Sequence, residues 1–341
     1  MHMSDALLSV PVAAGMLGTT LAALAVSAAR AADDPRARPA RMGVLGAFVF
    51  AAQMINFSIP GTGSSGHFAG GTLLALLLGP WAGALVMASV ILVQALFFAD
   101  GGLLAWGANV FNMGLIGCFV AGPLLVGLFA GPRPGKTRLR AAIIAASVAA
   151  CVAGALCVTL ETTASGLTEL PFGRFALLML PVHAAIGVVE GLITALVLER
   201  LPQWQGTAPL DGSDRGERLR VGGMAILALL IAGALSWFAS QRPDGLEFSV
   251  ARTAAPGALE AAPGTLAGRV DAWQRGHAPL PDYAFPSSGS SQDGRAPSAP
   301  AWPAVKSETS LAGLGGALLV GILALGLGWT AVWRSRRVGR N

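Results

Sequence analysis

Long apolar runs, separated by short polar or basic stretches, dominate the chain. They fall near residues 6–29, 42–60, 68–79, 81–99, 103–130, 141–161, 175–198, 221–240 and 311–333. A helix needs about 20 apolar residues to cross hydrocarbon, and most of these runs approach that length. The pattern predicts nine helices. The third run is short, and Gly79-Pro80 breaks it from the fourth, which suits a tilted or partial span. Small residues four apart, Gly79/Gly83 and Gly187/Gly191, suit close contact between helices. Composition points the same way: 12% of residues are charged and 54% hydrophobic, against about 25% charged in soluble domains. The expected fold is an all-α integral membrane protein.

Charge supports the count independently. Basic residues gather in four clusters: Arg30, Arg36, Arg38 and Arg41; Arg133, Lys136, Arg138 and Arg140; Arg200, Arg215, Arg218 and Arg220; Arg334, Arg336, Arg337 and Arg340. Nine crossings from an outside N-terminus put all four in the cytoplasm, as the positive-inside rule requires. Eight crossings would strand one outside. The predicted orientation is therefore N-out, C-in. The same rule accounts for the net charge of +5, so no nucleic-acid partner is expected. Residues 1–200 form a seven-helix unit, 201–220 a cytoplasmic linker, and 221–341 a two-helix hairpin. The outer loop of that hairpin, 241–310, is rich in Pro, Gly, Ala and Ser and is expected to be partly ordered at best.

This topology places three polar pieces on one outer surface: MHMSD at the terminus, IPGTGSSGHFAGG at 59–71 and ADGG at 99–102. The start MHMSDALL has no basic residue before its apolar run and no clear cleavage site, so it reads as a retained terminus rather than a secretory signal. A free terminus followed by histidine is a chelate. The Met1 amine, the His2 backbone nitrogen and His2 Nδ1 close a five- and a six-membered ring on one metal. His67, in the Gly-rich turn, supplies a fourth nitrogen. Planar nitrogen sites suit Ni²⁺ or Cu²⁺. The plainer reading is an incidental terminal histidine and a hydrogen-bonded loop histidine. Asn56, Ser65 and Asn109, with Gln94, Asp100 and Asn112, are candidates to accept the second N–H of a ligating imidazole, or else to bond helix to helix.

The stretches MINFSIPGTGSSGHFAGGTLLALLLGPWAG, LVQALFFADGGLLAWGANVFNMGLIG and HAAIGVVEGLIT, with the initial Met-His, resemble the CbiM/NikM family. These are the metal-binding S components of energy-coupling factor (ECF) importers. The resemblance covers most of residues 1–200. It implies a seven-helix bundle whose terminus inserts toward His67 to hold Ni²⁺ or Co²⁺ as transported ligand, with no resident cofactor. It also implies a transmembrane coupling (T) subunit and cytoplasmic ATPases as partners, in a bacterial inner membrane. RPDGLEF at 242–248, PLPDYAF at 279–285 and SLAGLGGALLVGILALGLGW at 310–329 resemble the small PDGLE companion subunit. The whole is similar to an S component fused to its companion. That likeness favours nickel over cobalt import for cobalamin synthesis.

Other signals change little. His183 and Glu190 share one face of the seventh helix, where a bundle-facing polar pair is expected and metal ligation is the sharper alternative. An intramembrane metalloenzyme built on His67, His183 and Glu190 would want an HExxH-like pair, and no such spacing occurs. GPRPGKT at 131–137 is a residue short of a phosphate loop and holds two prolines. No ATPase of its own is expected. Cys118, Cys151 and Cys157 lie in apolar runs and read as small buried hydrophobes, and His277 as a surface histidine of the long loop.

Overall fold

The computed structural model describes residues 1–168, 170–201, 215–285 and 302–338, with backbone only from 334 onward. Each predicted apolar run holds a helix. In chain order these are α1 (Val10–Arg30), α2 (Pro39–Gln53), α3 (Gly71–Leu78), α4 (Pro80–Phe98), α5 (Trp106–Ala130), α6 (Lys136–Ser165) and α7 (Phe172–Arg200). The second part of the chain adds α8 (Arg215–Gly233), α9 (Gly245–Thr253), α10 (Leu266–His277) and α11 (Ser307–Val338).

Among the described residues, six helices are long and apolar enough to span a membrane: α1, α4, α5, α6, α7 and α11. The chain is a multi-pass membrane protein. The 15 residues of α2 and 8 of α3 reach only about 22 and 12 Å at 1.5 Å per residue. Apolarity continues past the end of α2, but the backbone does not stay helical. It turns through a short hairpin, β1 (Phe57–Ser58) against β2 (Ser65–Gly66), with Phe57 opposite Gly66. This irregular segment lies among helices, where polar backbone in a membrane protein must be buried or line a cavity. Within α5, Val110–Leu125 widens to a π-type repeat around Pro123, which has no N–H to contribute to an α-helical ladder.

Close packing uses glycine where backbones meet. A Cβ on Gly187 would stand 2.5 Å from the Val148 Cα, and one on Gly191 2.5 Å from the Ile144 Cα, so α7 lies directly against α6. The hairpin of α8 and α11 packs on α2 in the same way: a Cβ on Gly43 would meet the Gly321 carbonyl at 2.9 Å. One polar clasp reinforces that contact. Buried Arg41 of α2 gives Nε and Nη2 to the two Glu217 oxygens of α8, at 2.6 and 3.2 Å. A two-pronged guanidinium–carboxylate pair fixes geometry as well as charge.

Two expectations are revised. Residues 202–214 of the predicted linker lie outside the described residues, but 215–220 already belong to α8. The segment 241–285 is built of helices and turns rather than loosely ordered loop. Asp244 caps α9 by accepting from the Leu246 and Glu247 backbone N–H groups, while Glu247 reaches back to the Asp244 N–H. This reciprocal box starts a helix locally. Leu246, Phe248 and Val250 then bury against the bundle. Thr265 caps α10. Residues 286–301 of the predicted loop lie outside the described residues.

Candidate metal centre

The first nine residues do not trail from the bundle; they thread into it. Met1, Met3, Leu7 and Leu8 are buried, and full burial of such side chains is worth about 1.5–3 kcal/mol each, which opposes the entropy of ordering a terminus. Polar bonds set the register. The Met3 N–H donates to Asn109 Oδ1 at 2.8 Å, and the Met3 carbonyl accepts from Asn109 Nδ2 at 3.1 Å and from the Gly102 N–H at 2.9 Å. Asp5 Oδ1 accepts from the Ala105 N–H at 2.9 Å. Burial pushes the Asp5 carboxyl up to about 6, against opposing bonds from the 103–105 backbone.

Threaded this way, the chain end meets the Gly-rich turn. The Met1 amine lies 3.5 Å from His67 Nε2, and the His2 and His67 rings stack 5.2 Å apart, 7° from parallel. Two nitrogens each about 2 Å from one ion are about 2.8 Å apart as neighbours in a square and about 4 Å apart across it. The observed 3.5 Å is longer than the neighbour distance, so the amine and the imidazole must draw together to share one ion. His67 Nδ1 faces the Phe68 carbonyl at 3.2 Å, which places its proton there and leaves the Nε2 lone pair toward the amine. Burial, then the Met1 ammonium and the His2 ring, push the His67 imidazole down to about 3. It is neutral at physiological pH, as a ligand must be.

The segment 242–248 closes the other side. Asp244 Oδ2 accepts from the Met1 amine at 3.0 Å, and the Pro243 carbonyl accepts from the Ser65 N–H at 2.8 Å. Gly245 presses on α7: a Cβ there would lie 2.8 Å from Val182 Cγ1 and 2.9 Å from His183 Cε1. Burial alone would raise the Asp244 carboxyl, but the Met1 ammonium and the Glu247 N–H hold it well below the usual carboxylate range. Asp100 is held low in the same way: burial opposes, while His2 and the Tyr283 hydroxyl prevail. His2 Nδ1 lies 3.0 Å from Asp100 Oδ1, and Tyr283 donates to Asp100 Oδ2 at 2.6 Å.

The fold thus brings Met1, His2 and His67 together. Of the candidate acceptors, Asn109 bonds the Met3 backbone, and Ser65 Oγ donates to the Arg242 and Pro243 carbonyls at 2.8 and 3.2 Å. The Asn56 carbonyl accepts from the Ser240 N–H. Gln94 donates to Gln53, which donates to the Ala69 carbonyl, and Asn112 donates to Glu161. Glu190 accepts from the Ala69 N–H, with the Cys151 thiol 3.5 Å away. His183 turns Nδ1 to the Met179 carbonyl and lines a cavity of about 10 Å³ with Met1 and His67. His277 stacks on Trp273. GPRPGKT joins α5 to α6, with no strand before it. Among the described residues, no three His, Cys, Asp or Glu side chains are arranged to hold a metal by themselves. Asp244 and Tyr283 are the residues that sequence reasoning did not place. RPDGLEF was legible only as a family likeness inside an expected loop, which says nothing of a contact 243 positions away.

A model of the CbiM family, described as the cobalt uptake substrate-specific transmembrane region, matches residues 2–206, and a model of the PDGLE domain matches 218–332. The chain belongs to the CbiM family. Its CbiM region is joined to a PDGLE domain. The chain is similar to a fused nickel transport protein NikMN of Rhodobacter capsulatus. That relative is 31% identical over 275 residues, which cover 71% of this chain and 76% of the relative. A cobalt transport protein CbiM of Sorangium cellulosum is 34% identical, covering 45% of this chain and 68% of its own length. The match to a relative from Archaeoglobus fulgidus, 38% identical, spans 64% of that protein. The crystal structure of a truncated transition metal transporter superposes with a TM-score of 0.50 at 31% identity, covering 60% of this chain and 99% of that one.

Proposed function

We propose that this CbiM-family protein is the substrate-binding (S) component of an ATP-driven ECF importer, and that it captures Ni²⁺ in a planar N₄ site. The donors are the Met1 amine, the His2 backbone nitrogen, His2 Nδ1 and His67 Nε2. The observation that carries this reading is the buried Met1 amine 3.5 Å from a His67 lone pair, with the His2 ring stacked alongside. Loading releases the ammonium proton and the His2 amide proton, since ligand nitrogens must be bare. It also turns the His2 ring about Cβ–Cγ, because Nδ1 now faces Asp100; the turn carries Nδ1 to the side that Cδ2 holds and frees it for the ion.

The bundle of α1 to α7 binds, and the α8–α11 hairpin is its fused companion. Nine crossings place the terminus outside the bacterial inner membrane and the four basic clusters inside. Coupling and ATPase subunits supply the energy, since the relatives are named as transport proteins and GPRPGKT has no phosphate-binding context. Cobalt is the second reading, favoured by the description of the family itself. Planar chelation favours nickel.

The test blocks the terminus. A Gly-Ser extension before Met1, or His2→Ala, should abolish binding of Ni²⁺ in equilibrium dialysis and its uptake by cells that express the partner subunits. Retained stoichiometric binding by the extended protein would refute the N₄ site. Tight Co²⁺ but not Ni²⁺ binding by the parent would reverse the metal.

A further inference from the structure

One buried carboxyl group supplies no ligand to the N₄ site, yet it stands a single peptide away from one. Glu190 of α7 is 2% exposed, and its Oε2 accepts from the Ala69 N–H at 3.2 Å, with the Cys151 thiol of α6 3.5 Å from the same oxygen. Burying such a group is costly unless it is hydrogen-bonded, and ionisable side chains inside a membrane bundle mark function by default. The Ala69 N–H belongs to the same peptide unit as the Phe68 carbonyl. That carbonyl is the one that faces His67 Nδ1, at 3.2 Å.

A trans peptide is planar, so its N–H and C=O point in opposite directions and move as one body. Holding the Ala69 N–H on Glu190 therefore aims the Phe68 carbonyl back at the imidazole. The links run in order: Glu190 Oε2, the Ala69 N–H, the Phe68 carbonyl, His67 Nδ1–H, and then Nε2 toward the Met1 amine. The next peptide is pinned as well. The Ala69 carbonyl accepts from Gln53 Nε2 of α2 at 2.7 Å, and Gln94 of α4 donates to Gln53 Oε1 at 2.7 Å. Gly70 follows at φ +90°, where a Cβ would stand 2.7 Å from Val49 Cγ1, a path that favours glycine. Three helices thus grip one residue of the Gly-rich turn, two positions after the ligand.

We propose that Glu190 is a positioning residue for His67, setting the tautomer and the aim of the imidazole through the Phe68–Ala69 peptide. Which ring nitrogen of a histidine is free to ligate is decided by the bond that the other makes. Without an acceptor at 190 the buried Ala69 N–H loses its partner, and a buried N–H in that state is costly. Rotating the peptide to find another takes the Phe68 carbonyl off His67. The working element is an acceptor oxygen at the reach of the Glu190 side chain. The effect on metal rests on the N₄ reading of the site; the effect on the His67 tautomer does not.

Two substitutions in the full chain, held in lipid nanodiscs, isolate that element. Glu190→Asp keeps the carboxyl and withdraws it by one methylene; Glu190→Gln puts an oxygen back at the same reach in a neutral amide. Nitrogen NMR of histidine-labelled protein without metal reads the tautomer, the His67 signal being assigned by its loss in His67→Ala. The parent should carry its proton on Nδ1, Glu190→Asp should show a mixture of tautomers, and Glu190→Gln should restore the parent's. Ni²⁺ affinity, by competition with a chelator, should fall about 10- to 100-fold in Glu190→Asp and recover in Glu190→Gln. Parental behaviour of Glu190→Asp in either readout, or loss in Glu190→Gln, would overturn the proposal. A parent chain that binds no Ni²⁺ would overturn the N₄ reading instead, and the tautomer would still decide the role of Glu190.

Discussion

The bundle and the companion meet the same few atoms in different ways. The bundle holds the terminus by its backbone: Asn109 and Gly102 bind the Met3 amide, and apolar side chains at 1, 3, 7 and 8 are buried. The companion holds the groups that would ligate. Asp244, from RPDGLEF, takes the Met1 amine, and Tyr283, from PLPDYAF, anchors the Asp100 that faces His2. One half fixes where the chain end lies and sets His67 and Asp100 beside its nitrogens; the other adds Asp244 on the amine and Tyr283 behind Asp100. Both signature stretches of the companion thus reach the candidate site.

Substitutions separate the two roles. The largest effect belongs to the bundle: His67→Ala should bring Ni²⁺ binding below detection in equilibrium dialysis while leaving the protein folded. On the companion side, Tyr283→Phe keeps the stack on Phe98, at 4.6 Å between ring centroids, and loses only the bond to Asp100. Loss of such an outer partner costs about 10- to 100-fold in metal affinity, measured by competition with a chelator. Parental affinity in Tyr283→Phe would reduce the companion to a cover. Gly245→Ala tests the fit on α7. Its Cβ would press on Val182 and His183, and overpacking costs about 1–3 kcal/mol, read as increased hydrogen exchange across 242–253.

Asp5 gives a smaller effect, with a sign. Its carboxyl keeps a proton to about 6 in the folded chain and releases it near 3.9 when unfolded. The stability this contributes is complete below about 4 and is lost as pH rises through about 6. Thermal unfolding of the protein should therefore lose stability across that interval through this group, and Asp5→Asn should flatten the profile. An unchanged slope in Asp5→Asn would show that the terminus is held without regard to this carboxyl.

Much of the fold was legible in residue types alone: each of the nine apolar runs holds a helix, and Met1, His2 and His67, singled out for their nitrogens, lie together. The limits have physical causes. Residues 54–60 are apolar enough to extend α2, and only the glycines beyond them show that the backbone turns. Composition made 241–285 resemble a loop, because its helices begin at caps and bury few side chains, mostly by landing on the bundle. The partners of Met1 and Asp100 lay far along the chain, in stretches whose spacing says nothing about contact. Asn109 was legible as a polar group near the site, but its bond to backbone rather than imidazole follows from the threading of residues 1–5.

The most direct test is X-ray absorption spectroscopy of the Ni²⁺-loaded protein. The account predicts four nitrogen neighbours in a plane, with the scattering signature of two imidazoles. Six oxygen or nitrogen neighbours, a sulfur neighbour, or the signature of a single imidazole would contradict it.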